Sequence, residues 1–428
     1  MRAMKDSGVA WIGKIPQEWA VYTLKSVASV NDNVLNEDVA ADTVIEYVDI
    51  GSVSADRGIE FTQAMDFGEA PSRARRLVKH GDTIVSTVRT YLRAIASIVK
   101  PPSNLVVSTG FAVIRPRKKI VSEFVAYSLQ DDIFMSEVTA RSVGVSYPAI
   151  NATELMAIQI VVPPLPEQLS IADYLDQQTA LIDQRLNTLA EKKAVLAELR
   201  KATIHEAVTK GLSKAASMGH WTTVRIKDVA KLNPLTLLPK LDEVDFFPME
   251  AIGVDGGLAL GQRKAVTQAG GYSQMKNGDV CFAKVTPCFE NGKSAIVEGL
   301  DFKVALATTE ITVLRPNKKV SRHFLHYRIK GLDFASGGAN EMKGAGGLKR
   351  VPERFASDFV FQLPPLSEQL AIADHLDQQT QQFDAQLATL DEQAQVLKEL
   401  RKAIIHEAVT GKIDLSGYTP QTLAALAA

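Results

Sequence analysis

One internal repeat constrains this chain more than any other feature. Residues 163–209, PPLPEQLSIADYLDQQTALIDQRLNTLAEKKAVLAELRKATIHEAVT, return at 364–410 as PPLSEQLAIADHLDQQTQQFDAQLATLDEQAQVLKELRKAIIHEAVT. The offset is 201 with no gap, and 32 of 47 positions are identical. The chain is therefore two halves, each a variable region followed by one copy of the segment. The variable regions echo each other more faintly. WAVYTLKSVA (19–28) resembles WTTVRIKDVA (221–230), VKHGDTIV (78–85) parallels MKNGDVCF (275–282), and STGFAVIRPRKK (108–119) parallels TTEITVLRPNKK (308–319). Two domains with one fold and different surface detail are expected, as for two readers tuned to different targets.

Each repeated segment reads as one long helix. It opens on prolines, has a glutamate in its first turn, and thereafter contains neither Gly nor Pro. Roughly 43 helical residues at ~1.5 Å each give a rod of about 65 Å. A 3-4 spacing runs through Leu175, Ile182, Leu186, Leu189 and Leu196, and in the second copy through Leu376, Phe383, Leu387, Leu390 and Leu397. That is a coiled-coil seam, although Lys193, Arg200 and Arg401 fall on it as poor core choices. Neither rod can bury its stripe alone, so the two copies are expected to pack on each other. The antiparallel arrangement is favoured over the parallel one, because near-identical copies then make self-complementary contacts. The expected fold class is α+β: two similar α/β domains separated by two long antiparallel helices forming a coiled-coil spacer, with a pseudo-two-fold axis. The β-rich runs TVIEYVDI (43–50), DTIVSTV (82–88) and FAVIRP (111–116) and the short helices VSEFVAYSLQ (121–130) and VSRHFLHYRIK (320–330) supply the mixed heads.

A length of 428 residues, 46% hydrophobic and 23% charged, fits a soluble protein of about three folding units. The most apolar run, LMAIQIVV (155–162), stops at Pro163, too short for a membrane span. The N-terminal residues lack the pattern of a secretory signal. The two cysteines, Cys281 and Cys288, match no common zinc or redox spacing. A cytoplasmic protein is expected.

Motifs that would carry catalysis are missing. His205-Glu206 and His406-Glu407 lack the second histidine of H-E-x-x-H, and Gly292-Lys293-Ser294 lacks the leading glycine of a phosphate loop. Asn233-Pro234-Leu235-Thr236 is half of an amino-methyltransferase signature, and His323 and His326 have no further ligands in view. Charge is more informative. Residues 71–119 hold 11 basic side chains against one acid, Asp82, and 315–350 hold nine against two. Two basic clusters at matching places in related domains point to nucleic acid more than to a merely solvated face. The contact candidates are Arg73, Arg75, Arg76, Lys79, Arg89, Thr90, Tyr91 and Arg93 in the first half, and Lys284, Thr286, Asn291 and Lys293 after the corresponding strand. A second loop before each long helix, RSVGVSYPAIN (141–151) and KGAGGLKRVPE (343–353), adds Arg141, Ser146, Tyr147, Lys343, Lys349 and Arg350. Arginine can pair with guanine and asparagine with adenine, whereas lysine and threonine often hold phosphates.

With KDSGVAWIGKIPQEW (5–19), the two PPLxEQ entries at Pro163–Gln168 and Pro364–Gln369, and the variable–helix–variable–helix order, the chain resembles the specificity subunit of type I restriction-modification systems over essentially its whole length. The resemblance implies target recognition domains at 1–162 and 213–363, each reading one half of a split sequence in double-stranded DNA. It implies helical spacers at 163–212 and 364–413, which set the gap and dock two modification (methyltransferase) subunits, and leaves 414–428 as a tail. It also implies no catalytic site, metal or cofactor on this chain. S-adenosylmethionine would belong to the modification subunits, and ATP with Mg to two optional restriction subunits. The alternative is a scaffold whose two domains on a coiled-coil spacer bind acidic protein partners. A stand-alone nuclease or methyltransferase is disfavoured by the missing motifs.

Overall fold

The computed structural model describes residues 2–36, 38–55, 57–212, 220–236, 243–254, 256–259, 262–265, 270–345 and 347–418. The start of the second expected domain at 213 and most of the tail fall on 213–219 and 419–428, outside the described residues, as does Gly346 of the second loop. The chain divides into two compact units, and the division falls within both repeated segments. Unit 1 is Met1–Thr188 with Gln393–Ala428, and unit 2 is Leu189–Glu392.

Both repeats are continuous helices, Leu165–Lys210 and Leu366–Val409, of 46 and 44 residues. Pro166 sits in the first turn, where its missing N–H is no loss. Within unit 2 the two helices run antiparallel. Lys193 Nζ donates to Asp391 at 2.6 Å, and seven residues further on Arg200 faces Asp384 at 3.4 Å, seven residues earlier. In unit 1, Arg401 faces Asp183 at 3.5 Å. These three basic residues, awkward for a seam, thus each meet a carboxylate on the opposite helix.

Burial along the helices is uneven. Leu175 and Leu376 are fully buried, Ile182 and Phe383 nearly so, while Leu186, Leu189, Leu196, Leu387, Leu390 and Leu397 are only half-buried. The well-buried ends belong to the head cores. In unit 1, Ile171, Leu175, Ile405, Ala408 and Val409 join a cluster with Trp19, Leu24, Phe124 and Phe134. In unit 2, Ile204, Ala207, Val208, Ile372 and Leu376 join Trp221, Phe324 and Phe334.

Each head holds two four-stranded sheets. In unit 1 one sheet runs Ile95–Ser97, Thr83–Ser86, Phe111–Pro116, Ala28–Val30, all antiparallel. The other runs Gln63–Asp66, Val44–Val48, Leu105–Ser108, Ala74–Leu77, with its central pair parallel. Unit 2 repeats both orders. Its first sheet is Ala230–Leu232, Ile311–Pro316, Val280–Ala283, Ser294–Ile296, and its second is Arg263–Ala265, Glu243–Phe247, Ala305–Ala307, Ser273–Met275. The expected short helices are present as Ser122–Gln130 and Arg322–Ile329.

The shared motifs are polar fasteners. Asp82, in the H-G-D turn, is buried and accepts from Arg115 Nε at 2.8 Å, and Asp279 does the same for Arg315 at 2.8 Å. Arg115 is therefore spent on a structural ion pair with the one acid of its basic stretch, and does not add to an open positive field. The glutamine of each PPLxEQ entry is buried and satisfied at three points. Gln168 accepts from Val121 N at 2.7 Å and donates to Lys119 O and Pro163 O, and Gln369 repeats this with Ser321 N, Lys319 O and Pro364 O. The neighbouring glutamates accept from indole N–H groups, Glu167 from Trp19 at 2.9 Å and Glu368 from Trp221 at 3.2 Å. Tyr127 donates to Asp176, and Tyr327 to Asp377, both at 2.6 Å. Burial and these hydrogen bonds push both phenols well above their ordinary value.

Candidate nucleic-acid interface

In each unit the loop after the central strand meets the loop before the long helix, although the two are separated by more than fifty residues. In unit 1, Val88 bridges Ala149, Ile150 N donates to Thr87 O at 2.9 Å, and Thr90 Oγ1 lies 2.9 Å from Ser142 Oγ. In unit 2, Val285 bridges Arg350, Thr286 N donates to Lys349 O at 2.9 Å, and Val351 N to Lys284 O at 2.8 Å. Each second loop closes on itself through Val143–Ala149 and Lys343–Arg350. Its glycine explains the tight turn. A Cβ on Gly144 (φ +115°) would stand 3.0 Å from Tyr147 O, and one on Gly344 (φ +146°) 2.3 Å from Leu348 O.

The candidate residues fall into distinct settings. Arg89, Tyr91, Arg141, Ser146 and Tyr147 lie on the exposed side of the joined loops in unit 1. Arg141 is held by Glu137 at 3.1 Å, and half-buried Arg93 by Asp132 at 2.5 Å. Thr90 is fully buried, so its hydroxyl fastens the loops together rather than facing a ligand. Arg73 is exposed, and its carbonyl accepts from Thr109 N next to the Gly110 carbonyl that receives Thr87. Lys79 is exposed but precedes the strand Thr83–Ser86 that the loop of Arg89 follows, so it lies at the other end. Arg75 is half-buried over the Phe67 ring at 5.0 Å. Arg76 is half-buried with its Nε unpaired, and burial lowers its pKa. Both arginines are less exposed than Arg73 and Arg89.

In unit 2, Lys343, Lys349, Arg350 and Asn291 are exposed, while Lys284, Thr286 and Lys293 are half-buried. Thr286 Oγ1 turns to Met342 Sδ at 3.4 Å, Lys293 Nζ to Met249 O at 3.3 Å, and Lys284 Nζ lies 4.0 Å from Glu353. Arg350 is bound through two nitrogens to Glu310, the shortest contact being 2.7 Å. That hydrogen bond holds the Glu310 carboxyl below its ordinary range and raises the guanidinium further.

Apolar side chains that charge counting passes over complete the unit 1 surface. Val143 is 78% exposed, Val145 fully so, and Leu92 44%. Their signal was only their place beside Gly144 and Arg89. Among the described residues no group of His, Cys, Asp and Glu could hold a metal ion, and no helix is long and apolar enough to cross a membrane.

The type I restriction modification DNA specificity domain matches this chain twice, at residues 16–191 and 218–396. The chain belongs to that family. Among curated relatives of the specificity family, the EcoAI specificity subunit of Escherichia coli is 34% identical over 194 residues, 42% of this chain and 32% of that protein. The EcoEI specificity subunit, also of E. coli, is 31% identical over the same shares. The match thus spans about a third of the length of those two relatives. The MjaX specificity subunit of Methanocaldococcus jannaschii aligns over 94% of this chain and 95% of its own length at 22% identity. A solved chain from a study of assembly and conformational transition of the type I R-M system has a TM-score of 0.68 at 23% identity, covering 93% of this chain and 99% of that one. The HsdS subunit from Thermoanaerobacter tengcongensis gives 0.50 at 23% identity, covering 93% and 98%. These likenesses place the specificity fold along nearly the whole chain.

Proposed function

We propose that this chain is the DNA-reading, non-catalytic member of a type I restriction-modification complex. Each unit reads one half of a bipartite sequence in double-stranded DNA, and the lengths of the helices Leu165–Lys210 and Leu366–Val409 set the unread gap. Two modification subunits supply methyl transfer from S-adenosylmethionine, and restriction subunits, where they join, use ATP and Mg2+. The cytoplasm, where chromosomal DNA is reached, is the compartment.

One observation carries this reading: the paired loops recur on the same strand order in both units but present different side chains, Arg89 and Tyr147 in one, Lys349 and Arg350 in the other. A common scaffold with divergent exposed loops suits two readers of different half-sites better than two equivalent binding modules. Partner docking on the helices is supported by apolar residues left exposed at matching places, Leu165 and Leu366, Leu169 and Leu370, Val195 and Val396, Leu199 and Leu400.

The test is methylation mapping in cells carrying the chain with its modification partner. One bipartite motif should appear, and replacing residues 213–363 by another such domain should alter one half of it only. A change in both halves, or duplex binding with neither steep salt dependence nor sequence preference, would instead favour a protein scaffold.

A further inference from the structure

From the geometry of the joined loops in unit 1 we infer that Arg89 is a guanine-reading side chain held in place by Tyr147; the assignment rests on the DNA-reading function proposed above. Three observations converge on it. Arg89 has φ +51° and ψ +48°, and Arg93, at the other end of the 3-10 turn Thr90–Leu92, has φ +52° and ψ +37°. Left-handed backbone disfavours any residue with a Cβ. Two such arginines bracketing one turn are a conformation that the surrounding structure must enforce. That enforcement is visible in the buried Thr90, whose hydroxyl meets Ser142, and in the Arg93–Asp132 pair.

The second observation is the stack. The Arg89 guanidinium lies over the Tyr147 ring at 4.9 Å. Among the described residues its side chain has no carboxylate or carbonyl partner, unlike Arg93, Arg115, Arg141 and Arg350. Contact with the ring face engages the guanidinium charge without using up its N–H donors. A guanidinium fork held in this way fits the paired O6 and N7 acceptors of guanine in the major groove. A phosphate, which accepts a charge from many directions, makes no such demand on orientation.

The third observation is the company the fork keeps. Tyr91, Leu92, Val143 and Val145 are exposed on the same loops. Apolar groups suit base edges and thymine methyls and do nothing for phosphates. In unit 2 the residue after the bridging valine is Thr286, whose hydroxyl is turned to Met342 and whose amide is used by Lys349. Arg89 thus has no arginine counterpart at that place in unit 2.

The experiment is selection from a randomised duplex library by the full chain, run for the wild type and for Arg89→Ala, Arg89→Lys, Tyr147→Ala and Tyr147→Phe. The wild type should enrich guanine at one fixed position of one half-site. Arg89→Ala and Arg89→Lys should lose that preference by roughly ten- to a hundred-fold, with every other position unchanged. Tyr147→Ala should weaken it without loss of total affinity, and Tyr147→Phe should retain it, as expected of a positioning residue. Both side chains are exposed, so unchanged thermal unfolding will show that the variants fold. An unaltered sequence preference in Arg89→Ala would overturn the assignment. So would uniform weakening on all sequences with a salt slope shallower by about one, the mark of a phosphate contact. A wild-type chain that enriches no sequence would overturn the DNA-reading function itself.

Discussion

Single residues in this protein divide sharply between those that fasten and those that are free to bind. Gln168 is a fastener, with one backbone N–H and two carbonyls depending on its amide in a buried setting. Gln168→Leu leaves those groups unpaired, and at about 1–3 kcal/mol for a buried unsatisfied group a loss of roughly 2–4 kcal/mol is expected on chemical denaturation. Arg350 lies between the two classes, because Glu310 holds it. Glu310→Gln should release the guanidinium, raise duplex affinity several-fold at low salt and steepen the salt dependence by about one phosphate contact. Arg350 depresses the folded-state pKa of Glu310, so the pair contributes stability above the ordinary glutamate value of 4.5. That contribution is lost as pH falls through the lower folded value. Both partners are at least partly exposed and screened, so the stability advantage of wild type over Glu310→Gln should be small at pH 7 and vanish in acid unfolding series. The sequence showed which positions carry charge but not which charges are spent. Arg115 reads as part of a basic cluster because Asp82, its partner, stands 33 residues away. Thr90 reads as a contact because nothing local marks it as buried.

At the level of elements, the long helices were the most legible part of the chain, since a 3-4 stripe without Gly or Pro leaves little else to form. The stripe did not reveal that its ends and middle differ. Leu175 and Leu376 are buried because the head cores close over them, whereas Leu189 and Leu390 belong to neither core cluster and stay half-exposed. Leu175→Ala and Leu376→Ala should each cost about 2–5 kcal/mol, as cavities in a core that cannot collapse. Leu189→Ala and Leu390→Ala should cost about 1 kcal/mol, since those half-exposed side chains lose less burial on truncation. Equilibrium denaturation of the four variants checks the ordering, and equal losses would mean that the helices are stabilised uniformly along their length. The loops were legible one by one, as glycine-bearing segments with basic and aromatic residues. Their pairing was not, because the Val88–Ala149 and Val285–Arg350 bridges are non-local contacts that no spacing encodes.

For the molecule as a whole, the repeat does more than duplicate a domain. Because the helix Leu165–Lys210 begins in unit 1 and ends in unit 2, and Leu366–Val409 begins in unit 2 and ends in unit 1, helix length is a property that the two units share. Seven residues inserted after Leu189 and seven more after Leu390 would lengthen both helices equally. A heptad nearly completes two helical turns and preserves the face on which the seam lies. Each helix grows by about 10 Å, close to three base-pair steps of ~3.4 Å along one strand. If helix length sets the unread gap, methylation mapping with such a chain should return the same two half-sites separated by about three more base pairs. Four residues added to one helix alone would turn its downstream seam out of register with its partner, and should cost stability before altering the gap. A heptad variant that folds, methylates and keeps the original gap would assign the spacing to the loops or to the partner subunits instead.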